Sequence, residues 1–148
     1  GVATRKFDGT CCMVHDGKLY KRRELRQGDA NPVDFEGVGH DEETGKSVGW
    51  VPVGHGAEDR WHRAAMLSNF SDGTHELLGP KVQGNPEKLS AHELWAHDKC
   101  RAFPDAPRTF EGLRNWLAER DIEGLVWHHP DGRMAKIKLR DFGLRRPK

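Results

Sequence analysis

The tetrapeptide His15-Asp16-Gly17-Lys18 does most to limit the fold, because it stands between two strand-like runs, Cys11-Cys12-Met13-Val14 and Leu19-Tyr20. An Asp-Gly pair in that position favours a two-residue turn with positive φ, so the chain must fold back on itself as an antiparallel hairpin. A second turn sequence, His129-Pro130-Asp131-Gly132, separates residues 123–127 from 134–139 and predicts another hairpin far along the chain. Between the two lie shorter strand candidates at 75–78, closed by Gly79-Pro80, and at 89–97. Residues 57–67 read as a helix with Glu58 and Asp59 in its first turn, where they suit the helix dipole, and with Trp61, Ala64, Ala65 and Leu67 as its apolar stripe. Residues 109–120 are the clearer helix, with Thr109 as N-cap and Phe110, Leu113, Trp116 and Leu117 at helical spacing. Residues 27–56, rich in Gly, Pro and acids, read as a long loop that ends in a short Trp50-Val51-Pro52-Val53 strand. Hairpins with two helices inserted between them predict an antiparallel α+β fold, not a doubly wound parallel sheet.

Composition narrows the class. The 148 residues fit one domain spanning 1–148, and 35% hydrophobic against 32% charged residues gives a polar chain with enough apolar anchors to fold. No apolar run approaches the roughly 20 residues of a membrane span, so no membrane partner is expected. Three cysteines, two of them adjacent (Cys11 and Cys12), make a poor disulfide framework; that favours a reducing, cytoplasmic setting and small buried strand roles for the pair. The net charge is +1, but residues 133–148 hold seven basic residues and one acid, Asp141. A phosphate-tracking patch and a merely solubilising tail (Arg140, Arg145, Arg146, Lys148) are both consistent with that. The chain opens on Gly1, not Met, so residues upstream are expected. His92, His97, His128 and His129 have spacings that fit no closed zinc site.

Three short strings carry chemistry, and their order matters: Lys6-Phe7-Asp8-Gly9-Thr10, then Glu123-Gly124-Leu125-Val126, then Lys136-Ile137-Lys138. Singly each is weak, since Lys-x-Lys on a strand is commonly a solvated face and Glu-Gly is frequent. Together they match phosphoryl transfer, which needs a nucleophile, a positioned metal-phosphate group and cations that stabilise developing charge. Lys6 can attack an α-phosphate only as a neutral amine, and Arg5, Lys136 and Lys138 would favour that form if they converge. Glu76 and Glu123 offer hard oxygen ligands for magnesium, directly or through water. Gly9 permits close backbone approach beside the nucleophile.

The set resembles the covalent nucleotidyltransferases, the superfamily of ATP-dependent ligases and capping enzymes. Lys6 falls on the nucleophile motif, with Asp8 and Gly9, Glu123 on the fourth motif, and Lys136 and Lys138 on the fifth. Lys21-Arg22-Arg23-Glu24 looks like the basic motif after the nucleophile hairpin, and His75-Glu76-Leu77-Leu78-Gly79-Pro80-Lys81 looks like the third, whose acid contacts the nucleotide. A two-residue turn pairs His15 with Lys18 and therefore Cys11 with Arg22; Arg22 is preferred to Arg23 because the ligase motif carries its arginine in a Lys-Arg pair. Trp95 is a candidate to stack on adenine, with core packing an equal alternative, and Asn85 is expected to shape a turn. The strings are most similar to those of small RNA ligases.

The resemblance implies an antiparallel-sheet adenylation domain. Because only ten residues follow Lys138, the OB domain that ends DNA ligases and capping enzymes is expected to be absent. It also implies an ATP-dependent RNA ligase, acting as a monomer with magnesium or manganese, that joins a 5′-phosphate to a 3′-hydroxyl through a lysyl-AMP on Lys6. A nucleotidyltransferase with another acceptor, or a noncatalytic nucleotide- or RNA-binding module, are the rival implications.

Overall fold

The computed structural model describes residues 1–66, 70–129 and 134–146. Among these, the strands are β1 (Val2–Lys6), β2 (Thr10–His15), β3 (Lys18–Leu25), β4 (Glu36–His40), β5 (Ser47–Pro52), β6 (Gly73–Leu78), β7 (Glu93–Ala96), β8 (Ala102–Phe103), β9 (Gly124–His128) and β10 (Met134–Lys138). The helices are α1 (Arg60–Ala65) and α2 (Phe110–Ala118), with 3-10 turns at Ala57–Asp59, His97–Lys99 and Leu139–Phe142. The described strand pairs are antiparallel, so the α+β class holds. The chain divides into two compact units, one built from Gly1–Asp8 with Lys99–Lys148 and the other from Gly9–Asp98.

The first unit holds a four-stranded sheet in the order β10-β9-β1-β8. Its core joins Ala3, Phe103, Leu117, Ile122, Leu125 and Leu139, with Ile137, Trp127, Leu113 and Trp116 packed against them. Thr109 caps α2 as expected, its hydroxyl accepting the Gly112 N–H at 3.1 Å. Leu117 is fully buried, but Phe110 is 67% exposed and rests on Phe142 instead, with ring centroids 4.8 Å apart. The turn of the 123–139 hairpin falls at 130–133, outside the described residues. Leu125 is 0% exposed at the middle of this core, so Leu125→Ala should lower the unfolding free energy by about 2–5 kcal/mol in a urea melt.

The second unit holds a six-stranded sheet in the order β4-β5-β3-β2-β6-β7. Asp16 and Gly17 take φ of 49° and 75°, the two-residue hairpin turn, and the register runs from His15–Lys18 to Cys12–Lys21 as the turn predicts. Cys12, Val14, Leu19, Ala65, Leu77, Val82 and Leu94 form its core.

Three sequence expectations need correction here. The 27–56 stretch is not one long loop but contains the β4–β5 hairpin, with β5 paired along β3. β4 is exposed at every position and carries Gly37 and Gly39, so it shows no apolar alternation to read. The 89–97 strand is only β7; Gln83, Asn85 and Lys88, just before that stretch, all have positive φ and sit in turns. Asn85 shapes that segment, its amide bonding both the carbonyl (2.9 Å) and the N–H (3.0 Å) of Leu89. In α1, His62 and Ala65 turn inward while Ala64 is exposed, and Leu67 lies outside the described residues.

His62 faces inward beside a buried ion pair. Lys21 Nζ meets Asp59 Oδ1 at 2.6 Å, and the Gly54 N–H donates to Asp59 Oδ2 at 2.7 Å. Burial alone would raise the Asp59 pKa, but the bonds from Lys21 and Gly54 outweigh it and hold the carboxyl below its ordinary 3.8. Burial pushes His62 below its ordinary 6.5, against the pull of Asp59, and neither ring nitrogen has a hydrogen-bond partner among the described residues. In both cases the unfolded chain binds a proton more readily than the folded one, so stability falls as pH drops. The His62 loss begins below about pH 6.5 and the Asp59 loss below about pH 3.8. Thermal melts of the wild type should therefore shift down between pH 7 and pH 5, and His62→Leu should flatten that slope.

Candidate active site

In the first unit β9 lies between two lysine-bearing strands. Lys6 of β1 stands opposite Gly124, and Gly124 stands opposite Lys138 of β10, while Lys136 pairs with Val126 one step along the same face. Alternation along the strands puts Leu125 and Ile137 on the other face, against the core. Two strand spacings, roughly 10 Å, separate the Lys6 and Lys138 backbones. The Lys6 side chain is half-buried, and its Nζ donates to the Phe7 carbonyl at 3.3 Å. Glu123 is half-buried just before β9, and its carbonyl accepts the Leu139 N–H at 2.9 Å. The glycine after it is required by close approach, since a Cβ on Gly124 would lie 2.1 Å from the Ile137 carbonyl oxygen.

Arg5 does not join the lysines. It pairs with Leu125 on the core-facing side, and its guanidinium lies 4.8 Å from the centre of the Phe7 ring. Asp8 is half-buried in the bend between β1 and β2. In the basic tail, Arg146 is docked on Asp121 at 2.8 Å, Arg140 and Arg145 are exposed, and Lys148 lies outside the described residues.

In the second unit the acid of interest is Glu76, 9% exposed on β6. Its Oε1 accepts the Gly9 N–H at 3.2 Å, and its Oε2 lies 2.8 Å from His97 Nε2. The other ring nitrogen, His97 Nδ1, is 2.8 Å from Thr74 Oγ1. Gly9 again owes its identity to close approach, because a Cβ there would sit 2.4 Å from the Leu77 carbonyl oxygen. Register places Cys11, Glu76 and Trp95 opposite one another across β2, β6 and β7. Arg22 pairs with Trp50, one residue beyond the Cys12–Lys21 pair; strand alternation therefore puts Arg22 on the Glu76 face and Arg23 on the other. Trp95 is half-buried on that same face, opposite the core residues Leu77 and Leu94. Cys12 is fully buried, and burial pushes its thiol up to about 12, which makes it an inert packing residue; Cys11 is half-buried.

His97 and Thr74 are the site residues that sequence reasoning missed. The sequence presents His97 only among histidines whose spacing fits no zinc site, and a 21-residue separation from Glu76 leaves no local spacing to notice.

These features define an α+β protein of antiparallel sheets, with a lysine-bearing sheet face in one unit and a glutamate clamped by a histidine in the other. Residues 63–148, more than half of the chain, match the family described as RNA ligase 1, and the chain belongs to that family. The RNA ligase 1 of Danio rerio is 28% identical over a span that covers 72% of this chain and 43% of that protein. Those of Mus musculus and Pongo abelii are 26% and 28% identical, each over 82% of this chain and 46% of the relative. The chain thus spans about half the length of the curated relatives it matches. No helix among the described residues is long and apolar enough to cross a membrane.

Proposed function

We propose that this chain is the nucleotidyltransferase part of an ATP-dependent RNA ligase, with Lys6 as its nucleophile. The observation that carries the reading is the row Lys6–Gly124–Lys138, which aligns the three separate sequence strings in one sheet, in a member of a family named for RNA ligation. The Lys6 amine attacks the α-phosphorus of ATP; a P–N bond forms, the bond to pyrophosphate breaks, and the amine loses its proton. A 5′-phosphate oxygen of the RNA then displaces the lysine and takes the AMP. Last, a 3′-hydroxyl attacks that 5′-phosphorus and AMP leaves. Lys136 and Lys138 hold phosphate oxygens on the Lys6 face and offset charge as pyrophosphate departs.

Glu123, a half-buried carboxylate at a strand end, suits magnesium or manganese, which when bound would neutralise phosphate charge. Glu76 already accepts on both oxygens, and that favours a fixed nucleotide contact over a metal ligand; Arg22 shares its face and completes that group. The same reading expects a reducing cytoplasm, a setting suited to the buried thiol of Cys12.

Incubation with α-labelled ATP and magnesium tests it. A ligase becomes covalently labelled and then seals 5′-phosphorylated RNA. Label without sealing would point to another acceptor, and no label to a noncatalytic binder.

A further inference from the structure

We propose that His97 is a positioning residue that holds the Glu76 carboxylate in its working orientation. This rests on the ligase reading for what Glu76 does, but not for how it is held. A carboxylate only accepts hydrogen bonds, so at 2.8 Å His97 Nε2 must be the donor. In the neutral ring Nδ1 then accepts from the Thr74 hydroxyl at 2.8 Å. The chain of bonds runs Thr74 to His97 to Glu76, and the remaining carboxylate oxygen takes the Gly9 N–H, three residues after Lys6. Glu76 is thereby gripped from two sides. One grip is the backbone of the nucleophile motif, and the other is a side chain just beyond β7, in the 3-10 turn His97–Lys99. The ring is itself fixed at both nitrogens, so it can set a direction and not merely add a contact.

Loss of a charge-assisted bond at a nearly buried carboxylate should free the side chain to rotate, and the cost should appear as weaker nucleotide capture. His97→Ala is expected to raise KM for ATP in the adenylation step by roughly tenfold or more, with a smaller change in kcat. His97→Gln, which keeps a donor, should recover part of that loss, and Thr74→Val should show a smaller rise of about threefold. The deciding measurement is the cycle with Glu76→Gln. If His97 acts through Glu76, the double variant is no worse than Glu76→Gln alone; if His97 is only structural, the two losses multiply.

Amide exchange at Gly9 gives a second readout that needs no ATP. It should speed up equally in His97→Ala and in Glu76→Gln. An unchanged KM in His97→Ala, multiplicative losses in the double variant, or unaltered Gly9 exchange would each overturn the proposal. Should His97→Ala fail to fold, His97→Gln and Thr74→Val carry the same measurements. A wild-type chain that takes no label would overturn the ligase reading alone, with Gly9 exchange still deciding how Glu76 is held.

Discussion

Lys6→Ala is expected to take no label from ATP, down to the background of the assay. The phosphoramidate needs a primary amine at the point where the α-phosphate is presented, and alanine supplies none. Lys136 and Lys138 share the sheet face but start about 10 Å away across β9, so neither backbone can bring its amine to the position Lys6 leaves. Lys6→Arg should fail as completely, because a guanidinium stays protonated at any accessible pH and is no nucleophile. Labelled ATP on a denaturing gel reads the result, with a melting curve to show that each variant is folded. Label that persisted in Lys6→Ala would move the nucleophile to a different lysine.

Glu123→Gln should lower the adenylation rate by roughly 10²-fold or more at saturating magnesium, with little change in KM for ATP. The substitution keeps shape and hydrogen-bonding reach at the head of β9, where the Glu123 carbonyl still accepts from Leu139, so the backbone row through Gly124 is preserved. Only the negative charge is lost. A normal rate would reassign the metal to another acid, with Asp8 next in line.

What the sequence discloses here is what is local. The Asp16-Gly17 turn specifies its own geometry, and through it the register of β2 on β3, whereas the preference for Arg22 over Arg23 rests on the resemblance to the ligase motif. Thr109 announces a helix start for the same reason. Gly9 and Gly124 could be recognised within their strings, but the neighbouring carbonyls that exclude a Cβ belong to β6 and β10 and cannot be seen along the chain. Arg5 was grouped with the lysines by charge, although one step along a strand is enough to turn it to the core-facing side. The β4–β5 hairpin was missed because an exposed, glycine-bearing edge strand carries no burial signal. The division into two units also escaped, since nothing near Lys6 hints that β1 belongs with β9.

That last pairing has a consequence for how the protein is made. The Thr4 hydroxyl donates to the carbonyl of Val126, 122 residues downstream, whereas every residue of the unit Gly9–Asp98 lies in one continuous segment. On the ribosome the continuous unit can close while the later residues are still being added. β1 has to wait for β8, β9 and β10. At about 5–20 residues per second, roughly 100 residues correspond to a delay of about 5–20 s. Through that interval the strand that bears Lys6 presents unpaired backbone on both edges, the condition that invites mispairing with other chains. Translation speed and chaperone supply over this window should therefore govern how much of the protein matures, and slow codons anywhere between β1 and β9 should lower the yield.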